Sequence, residues 1–449
     1  MSVIKLKKGL DIKLQGKPVE KITELKLSEL YGIKPDDFRN VTPKIIPKVG
    51  DKLKAGSPVF YDKNNENFIF TSPVSGVLEE VRRGERRKIL EIIIKSDNEL
   101  EYEEFNTNGF ENFSREQIVD LLLKSGLWTR IVSRPYGIIP QLEETPKSIH
   151  VSTFDTAPVA VNYNFTLKDN ISEFQTGIDI LKKLTSGDVN VNIDNKITDN
   201  IFSEIKNAKI NKFEGKHPAG NVGIQIHHLS PINKGEKVWT LNPQDVVFIG
   251  RFFKTGKVDL SKTIALSGYG VEEPQYYKVV SGCQISSILS NQKTEENVRI
   301  ISGNVLTGKK TEKYSFLGYF DNTITIISEG NEYEMFGWAK LGWNRYTATS
   351  FFLSKLRKNK EWKLNTNLHG GKRPFVLTGK INKVLPMNIL PIYLIKACMA
   401  EDIEKIENLG IYEVIEEDLA LCEFVSETKI DFQEIIGNAI KLMISEMGV

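Results

Sequence analysis

The apolar residues of this sequence change their spacing along the chain, and no single architecture satisfies all of the spacings. At the start, Ile4, Leu6, Leu10, Ile12 and Leu14 share one parity while Lys5, Lys7, Asp11, Lys13 and Gln15 take the other. That period of two predicts a half-buried strand, with Gly9 as a bulge or turn. From Val41 to Leu78, short apolar pieces are cut by Val49-Gly50-Asp51, Ala55-Gly56-Ser57-Pro58 and Ser72-Pro73-Val74-Ser75-Gly76-Val77. Turn-forming residues at such intervals predict a small all-β module over 1–113. Ser114 and Gln117 then form a capping box ahead of Ile118, Leu121 and Leu122, and Gly126 stands where that helix would stop. SIHVSTFD, a periodic run through Ile178, Leu181 and Leu184, VNVNI and VVFIGRFF alternate strand-like and helix-like patterns. They predict an α/β domain with a largely parallel sheet over 114–258. Residues 259–331 read as strand, turn, strand, short helix and more strands, the order of a β-grasp module. The last part, 332–449, reads as a hairpin followed by helices, the final one with Phe432, Ile435, Ile436, Ala439, Ile440, Met443 and Met447 on one face. The expected fold class is α/β multidomain.

The 449 residues suit three or four domains at about 100–200 residues each. A formal net charge of +2 gives no mandate for nucleic acid. Every apolar run is interrupted well short of the roughly 18 residues a spanning helix needs. The N-terminus has no apolar block or cleavage site of a secretory signal, so a cytoplasmic location is expected. Cys283, Cys398 and Cys422 lie too far apart, and are too few, for a four-thiolate iron–sulfur or zinc site within this chain.

The turns of the first module resemble the flattened barrel of biotinyl and lipoyl carrier domains. Lys63 falls near the hairpin tip that carries the modified lysine there, but the flanking carrier signature is missing, so Lys63 is expected to be unmodified. The α/β domain invites a nucleotide, yet the chain has no GxGxxG and no GxxxxGK[ST]. In SGLWTRIVSRPYG, the bulk of Leu127, Trp128 and Arg130 would keep a backbone cradle away from a phosphate. A Rossmann-like domain lacking a dinucleotide loop is therefore expected. His217, His227 and His228 cluster in sequence without the cysteines or HExxH spacing of a zinc site. His217-Pro218-Ala219-Gly220 is read as a turn and His227-His228 as strand neighbours pointing to opposite faces. Two stretches are strongly basic: Arg82 to Lys88, and the segment holding Trp338, Trp343, Tyr346, Phe351, Phe352 and Trp362 beside Lys355, Arg357, Lys358, Lys360 and Lys363. Both are read as hairpins with a solvated face, and interleaved aromatics and cations also suit a membrane interface or single-stranded nucleic acid. No catalytic triad, nucleophile elbow or carboxylate pair stands out.

KKGLDIKLQGKP, SGLWTRIVSRP, HPAG, RIISGNVLTG, LPMNILP and LGIYEVIEEDLALCEFV, in this order, resemble the A subunit of the bacterial Na+-translocating NADH:quinone reductase, along essentially the whole chain. The resemblance implies a peripheral subunit of a six-subunit, sodium-exporting complex at the cytoplasmic face of the bacterial inner membrane, held there through partner subunits. The chief partner would be the membrane-embedded quinone-reducing subunit. NADH, FAD, FMN, riboflavin and iron–sulfur clusters would belong to partner subunits, with no cofactor on this chain and no activity in isolation. Many members carry a cysteine where this chain has Ser426, so no thiol pair with Cys422 is carried over. The family link to quinone makes Trp128, Arg130, Arg134 and Tyr136 the quinone-binding candidates, offering a stacking surface and donors in one segment. A scaffold that docks on the membrane partner without a small ligand is the other reading.

Overall fold

The computed structural model describes residues 3–290, 292–332, 334–348, 351–357, 360–376 and 378–447. Its centre is a six-stranded sheet in the order Val3–Lys5, Lys209–Glu214, Asp188–Asp194, Ser148–Ser152, Val238–Leu241 and Val132–Arg134. All neighbours run parallel except the last pair. On one face, Ile149, Val151, Val189, Val191 and Ile193 enter the main core with Phe174, Ile178 and Leu181 of helix Ile171–Lys182. That helix packs on helix Pro243–Thr255 almost backbone to backbone. A Cβ at Gly177 would lie 2.2 Å from the Val246 carbonyl oxygen, and one at Gly250 1.8 Å from that of Glu173.

The opposite face of the sheet is polar, although it is buried. Asn192 Nδ2 donates to Gln225 Oε1 at 2.8 Å, Gln225 Nε2 to Ser152 Oγ at 2.8 Å, and Asn211 Nδ2 to Asn190 Oδ1 at 3.0 Å. His150, wholly enclosed, meets Ser148 Oγ through Nε2 at 3.0 Å. Desolvation drives its pKa down to about 3, so the ring is neutral. Buried amides are tolerated here because they bond one another across neighbouring strands.

Two antiparallel sheets make the N-terminal module: Leu30–Ile33, Ile89–Ser96, Gly76–Arg83 and Lys52–Leu53 in one, Pro43–Ile45, Pro58–Asp62 and Asn65–Thr71 in the other. Lys63 and Asn64 form the two-residue turn between Pro58–Asp62 and Asn65–Thr71, and Lys63 is exposed. A third sheet follows the order Lys309–Thr311, Val298–Ser302, Thr323–Ser328, Ser261–Ser267, Gln275–Val280 and Val19–Glu24, with the short helix Ile285–Leu289 beside it. The C-terminal helices Pro391–Met399, Ile403–Asn408, Glu416–Val425 and Phe432–Met447 share a second core with Ile224, Phe213 and Val238 of the α/β region. Phe432, Ile436, Ala439, Ile440 and Met443 of the last helix are buried, as their spacing predicts.

Four expectations need correction. The N-terminal alternation does bury Leu6, Ile12 and Leu14, but only Val3–Lys5 is strand. The first residues also leave the β module, since Val3–Lys5 pairs with Lys209–Glu214 and Val19–Glu24 with Gln275–Val280. Gly16, at φ +99°, lets the chain cross so close to Gly268 that a Cβ would lie 2.2 Å from the Gly268 carbonyl carbon. The hairpin expected at the start of 332–449 is absent: among the described residues the stretch to Gly379 has no strand, only 3-10 turns at Gly337–Ala339 and Leu353–Leu356. Its apolar residues keep no common parity, so no ladder could bury them on one face. Lys358 and the Trp338 side chain lie outside the described residues. His227 and His228 sit in helix Val222–Leu229, not a strand. Val222, Ile224 and Ile226 fit period two, but Val222, Ile226 and Leu229 fit a helix equally well, and Asn221 provides the extended residue at its start.

Candidate functional site

The candidate segment begins where helix Arg115–Lys124 ends. Its capping box forms as expected, with Ser114 Oγ accepting from Gln117 N–H, and Gly126 ends it in the left-handed conformation at φ +75°. The chain then turns inward through Leu127–Arg130, all four side chains buried. Trp128 donates its Nε1–H to the Pro140 carbonyl at 2.9 Å and meets Trp239 edge to face at 5.3 Å. The Trp239 Nε1–H in turn reaches Glu144 Oε1.

Arg130 Nη1 donates to Asp245 Oδ1 at 3.1 Å and to the Tyr319 carbonyl at 2.8 Å, while its guanidinium lies 3.5 Å from the centre of the Tyr319 ring. Asp245 belongs to the α/β domain and Tyr319 to the loop before the strand Thr323–Ser328, so one cation fastens two sheets together. Burial pushes the Asp245 carboxyl up against the opposing pull of Arg130 and Lys262. Burial also brings the Lys262 ammonium down to about 8, helped by Arg130. Arg134 makes the corresponding joint to the helical domain. Its Nη1 donates to Asp418 Oδ2 at 2.7 Å and its Nη2 pairs with Glu417. Asp418 Oδ2 also accepts the Ile415 N–H at 3.0 Å. Helix Val222–Leu229 passes this pair so closely that a Cβ on Gly223 would lie 2.2 Å from Asp418 Oδ1 and 2.5 Å from Arg134 Nη1. Tyr136 is nearly enclosed: the Lys237 ammonium lies 4.6 Å above its ring and Tyr412 stands edge-on at 6.4 Å. Its carbonyl accepts from Arg39 Nη1, and Arg39 Nη2 pairs with Glu416.

All four candidates thus lie in one buried seam, and most of their partners could not be read from the sequence. Asp245 is 115 positions from Arg130 and Asp418 is 284 from Arg134. The one signal was the run Glu416-Glu417-Asp418, whose three acids meet Arg39 and Arg134. Of the two candidate arginines, three guanidinium nitrogens remain without a hydrogen-bond partner: Arg130 Nε and Nη2, and Arg134 Nε.

Directly after the segment, Ile138, Ile139 and Gln141 line a cleft of about 540 Å³. Its other walls include Arg39, Val41, Asp62, Asn65 and Phe68 and, from the last helix, Ile444. None of the Trp128, Arg130, Arg134 or Tyr136 side chains belongs to that lining. They stand behind it, joined to it through the Arg39 bond to the Tyr136 carbonyl.

The histidines are structural contacts. His217 is buried with Nδ1 3.1 Å from Thr156 Oγ1, and desolvation brings its pKa down to about 4. His227 accepts the Asn388 N–H at Nε2, which leaves Nδ1–H to donate to Glu413 at 2.6 Å. His228 Nε2–H donates to the Pro386 carbonyl at 2.9 Å. Both hold the helical domain against helix Val222–Leu229. Among the described residues no group of three or more His, Cys, Asp or Glu side chains is arranged to hold a metal. Cys283, Cys398 and Cys422 are all buried, and burial pushes the first two thiols up to about 12 and Cys422 higher still.

Three family models match successive parts of the chain: the NqrA N-terminal barrel-sandwich hybrid domain over 4–97, the NqrA second alpha/beta domain over 113–258 and the NQRA C-terminal domain over 263–313. The chain is 35% identical over 441 residues to the Na(+)-translocating NADH-quinone reductase A subunit of Hahella chejuensis, covering 98% of each. It is 33% identical to that of Neisseria meningitidis serogroup B, over 99% of this chain and 100% of the relative. The corresponding protein of Marinomonas sp. is 32% identical, over 98% and 99%. Among solved structures, NAD+-reducing [NiFe]-hydrogenase in its air-oxidized and H2-reduced states aligns at 10% identity with TM-scores of 0.38 and 0.35. Those alignments cover 75% and 68% of this chain but only 62% and 55% of the hydrogenase chains.

Proposed function

The chain belongs to the NqrA family, the A subunits of the Na(+)-translocating NADH-quinone reductases, and from that premise we propose a peripheral subunit that helps to bind quinone and to assemble the complex. It would sit on the cytoplasmic face of the bacterial inner membrane, held through partner subunits, chiefly the membrane-embedded quinone-reducing one. Among the described residues no helix is long and apolar enough to cross a membrane, which supports attachment from one side. The redox carriers, flavins and iron–sulfur clusters with NADH as donor, would reside on the partners.

The observation that carries the quinone reading is the cleft of about 540 Å³ beside Ile138 and Ile139. A quinone needs apolar walls for its ring and a few donors for its carbonyls. Phe68, Ile139 and Ile444 supply the first, and the amides of Asn65 and Gln141 supply the second. In this reading Trp128, Arg130, Arg134 and Tyr136 serve quinone indirectly, by holding the wall rigid, since both Nη atoms of Arg134 are engaged by Asp418 and Glu417.

Titration of the purified chain with a short-chain quinone analogue tests this. Val41→Trp fills the cleft from its half-exposed edge, so affinity is expected to fall at least about tenfold, roughly 1.4 kcal/mol, with an unchanged melting temperature. Saturable binding that ignores Val41→Trp would move the site elsewhere. No saturable binding at all would leave the scaffold reading, which the internal pairing of Arg130 and Arg134 favours.

A further inference from the structure

The longer of the two basic stretches carries the larger excess of charge. Residues 340–373 hold six lysines and three arginines against a single acid, Glu361, a net of +8, whereas the whole chain is +2 and the remainder therefore −6. Glu334, Glu295 and Asp431 pair with four of those cations, Lys340, Arg345, Lys363 and Lys372. Counting these three acids still leaves an excess of +5. The same stretch exposes large apolar side chains: Leu341 at 75%, Leu356 at 73%, Phe351 at 69% and Trp343 at 51%.

These residues are drawn together although the backbone is irregular. The Leu353 N–H donates to the Leu341 carbonyl at 3.2 Å, which brings 341–345 against 351–357. Arg357 lies 5.5 Å from the centre of the Trp343 ring and, with Lys360, donates to Asn344 Oδ1. The result is an apolar patch rimmed by cations. Surfaces of this kind are disfavoured in water unless something covers them.

We propose that this patch docks on an anionic phospholipid surface, with Leu341, Trp343, Phe351 and Leu356 entering the headgroup boundary and the cations meeting phosphates. Two observations favour lipid over other partners. The apolar members are aliphatic as well as aromatic, whereas single-stranded nucleic acid is gripped by aromatic stacking. The cations are mostly lysine, which is depleted from the cores of protein interfaces but suits an anionic leaflet, where its stem can lie along apolar material while its ammonium stays hydrated. The patch is independent of the quinone cleft and shares no residue with it. One weak anchor of this type gives reversible, salt-sensitive binding that becomes durable only beside a second attachment such as a partner subunit.

Sedimentation of the full chain with vesicles tests it. Vesicles of phosphatidylcholine containing about one third phosphatidylglycerol are expected to bind the protein at about 20 mM salt and to release it near 200 mM, where screening is stronger. Vesicles of phosphatidylcholine alone are expected not to bind it. Arg357→Gln with Lys360→Gln should lower partitioning about 25-fold, near fivefold per lost charge. Leu341→Ser with Leu356→Ser should lower it as well, and both variants should keep the wild-type melting temperature, because Leu341 and Leu356 already face water and Arg357 and Lys360 bond the exposed, neutral Asn344 amide. The proposal is overturned by failure to bind anionic vesicles at low salt, by binding that ignores both double variants, or by complete displacement with an equal charge of single-stranded DNA, which would make the patch a nucleic-acid surface.

Discussion

Two segments of this protein use the same vocabulary of tryptophan, tyrosine and arginine, and the fold treats them in opposite ways. In 127–136 the rings and guanidinium groups are sealed inside, with Trp128 on Trp239 and the arginines on Asp245 and Asp418. In 341–360, Trp343 and Phe351 remain in water and Arg357 rests on an amide oxygen. The difference comes from acids elsewhere in the chain. A buried guanidinium is sustainable only where carboxylates and carbonyls converge on it. The first segment is met by Asp245, Glu417 and Asp418, each placed by a helix of another part of the chain.

The largest expected effect breaks the inner segment. Arg134→Ala leaves the Asp418 carboxylate buried without its cation, and removal of one partner of a buried pair costs about 3–5 kcal/mol. Chemical denaturation of the variant should show that loss, with the helical domain loosening first. Acid should act on the same interior. His150 and His217 have pKa values of about 3 and about 4, below the ordinary 6.5. The unfolded chain therefore takes up protons below about pH 6.5 while the folded chain does not. Stability should fall as pH drops toward 4, by about 1.4 kcal/mol per pH unit for each histidine. Denaturation midpoints of His150→Gln across pH 4–7 should have a shallower slope. Gly223→Ala should cost about 1–3 kcal/mol, since its methyl would press on Asp418 and Arg134. In the outer segment, Arg357→Ala should move stability by less than about 0.5 kcal/mol.

Local patterns were legible where neighbours in sequence are also neighbours in space. Ser114, Gln117 and Gly126 gave the first helix in the α/β region, and Phe432 to Met443 gave the buried face of the last. Leu6, Ile12 and Leu14 gave burial correctly, but not the ladder, because partner strands such as Lys209–Glu214 are about 200 positions away and only three residues pair. The role of Arg134 was illegible for the same reason. A donor that could serve a ligand and one that serves Asp418 look alike until residue 418 is brought beside residue 134. The polar face of the parallel sheet, Asn190, Asn192 and Asn211, was hidden in VNVNI, where alternation announces a strand but not that its polar side is covered by Gln225 and its helix.

If the inner segment is a joint between domains, it supports the cleft wall and does not itself donate to a ligand. A double-mutant cycle on Arg134 and Asp418 tests this most directly, with Arg134→Met, Asp418→Leu and the double variant compared by denaturation and by quinone-analogue titration. Each single variant should lose about 3–5 kcal/mol of stability and the double variant should recover most of it, because an apolar pair can replace a buried ion pair. The recovered double variant should also bind the analogue as the wild type does. Unchanged stability in Arg134→Met, together with a tenfold to hundredfold loss of affinity that the double variant does not restore, would contradict the joint and make Arg134 a ligand donor.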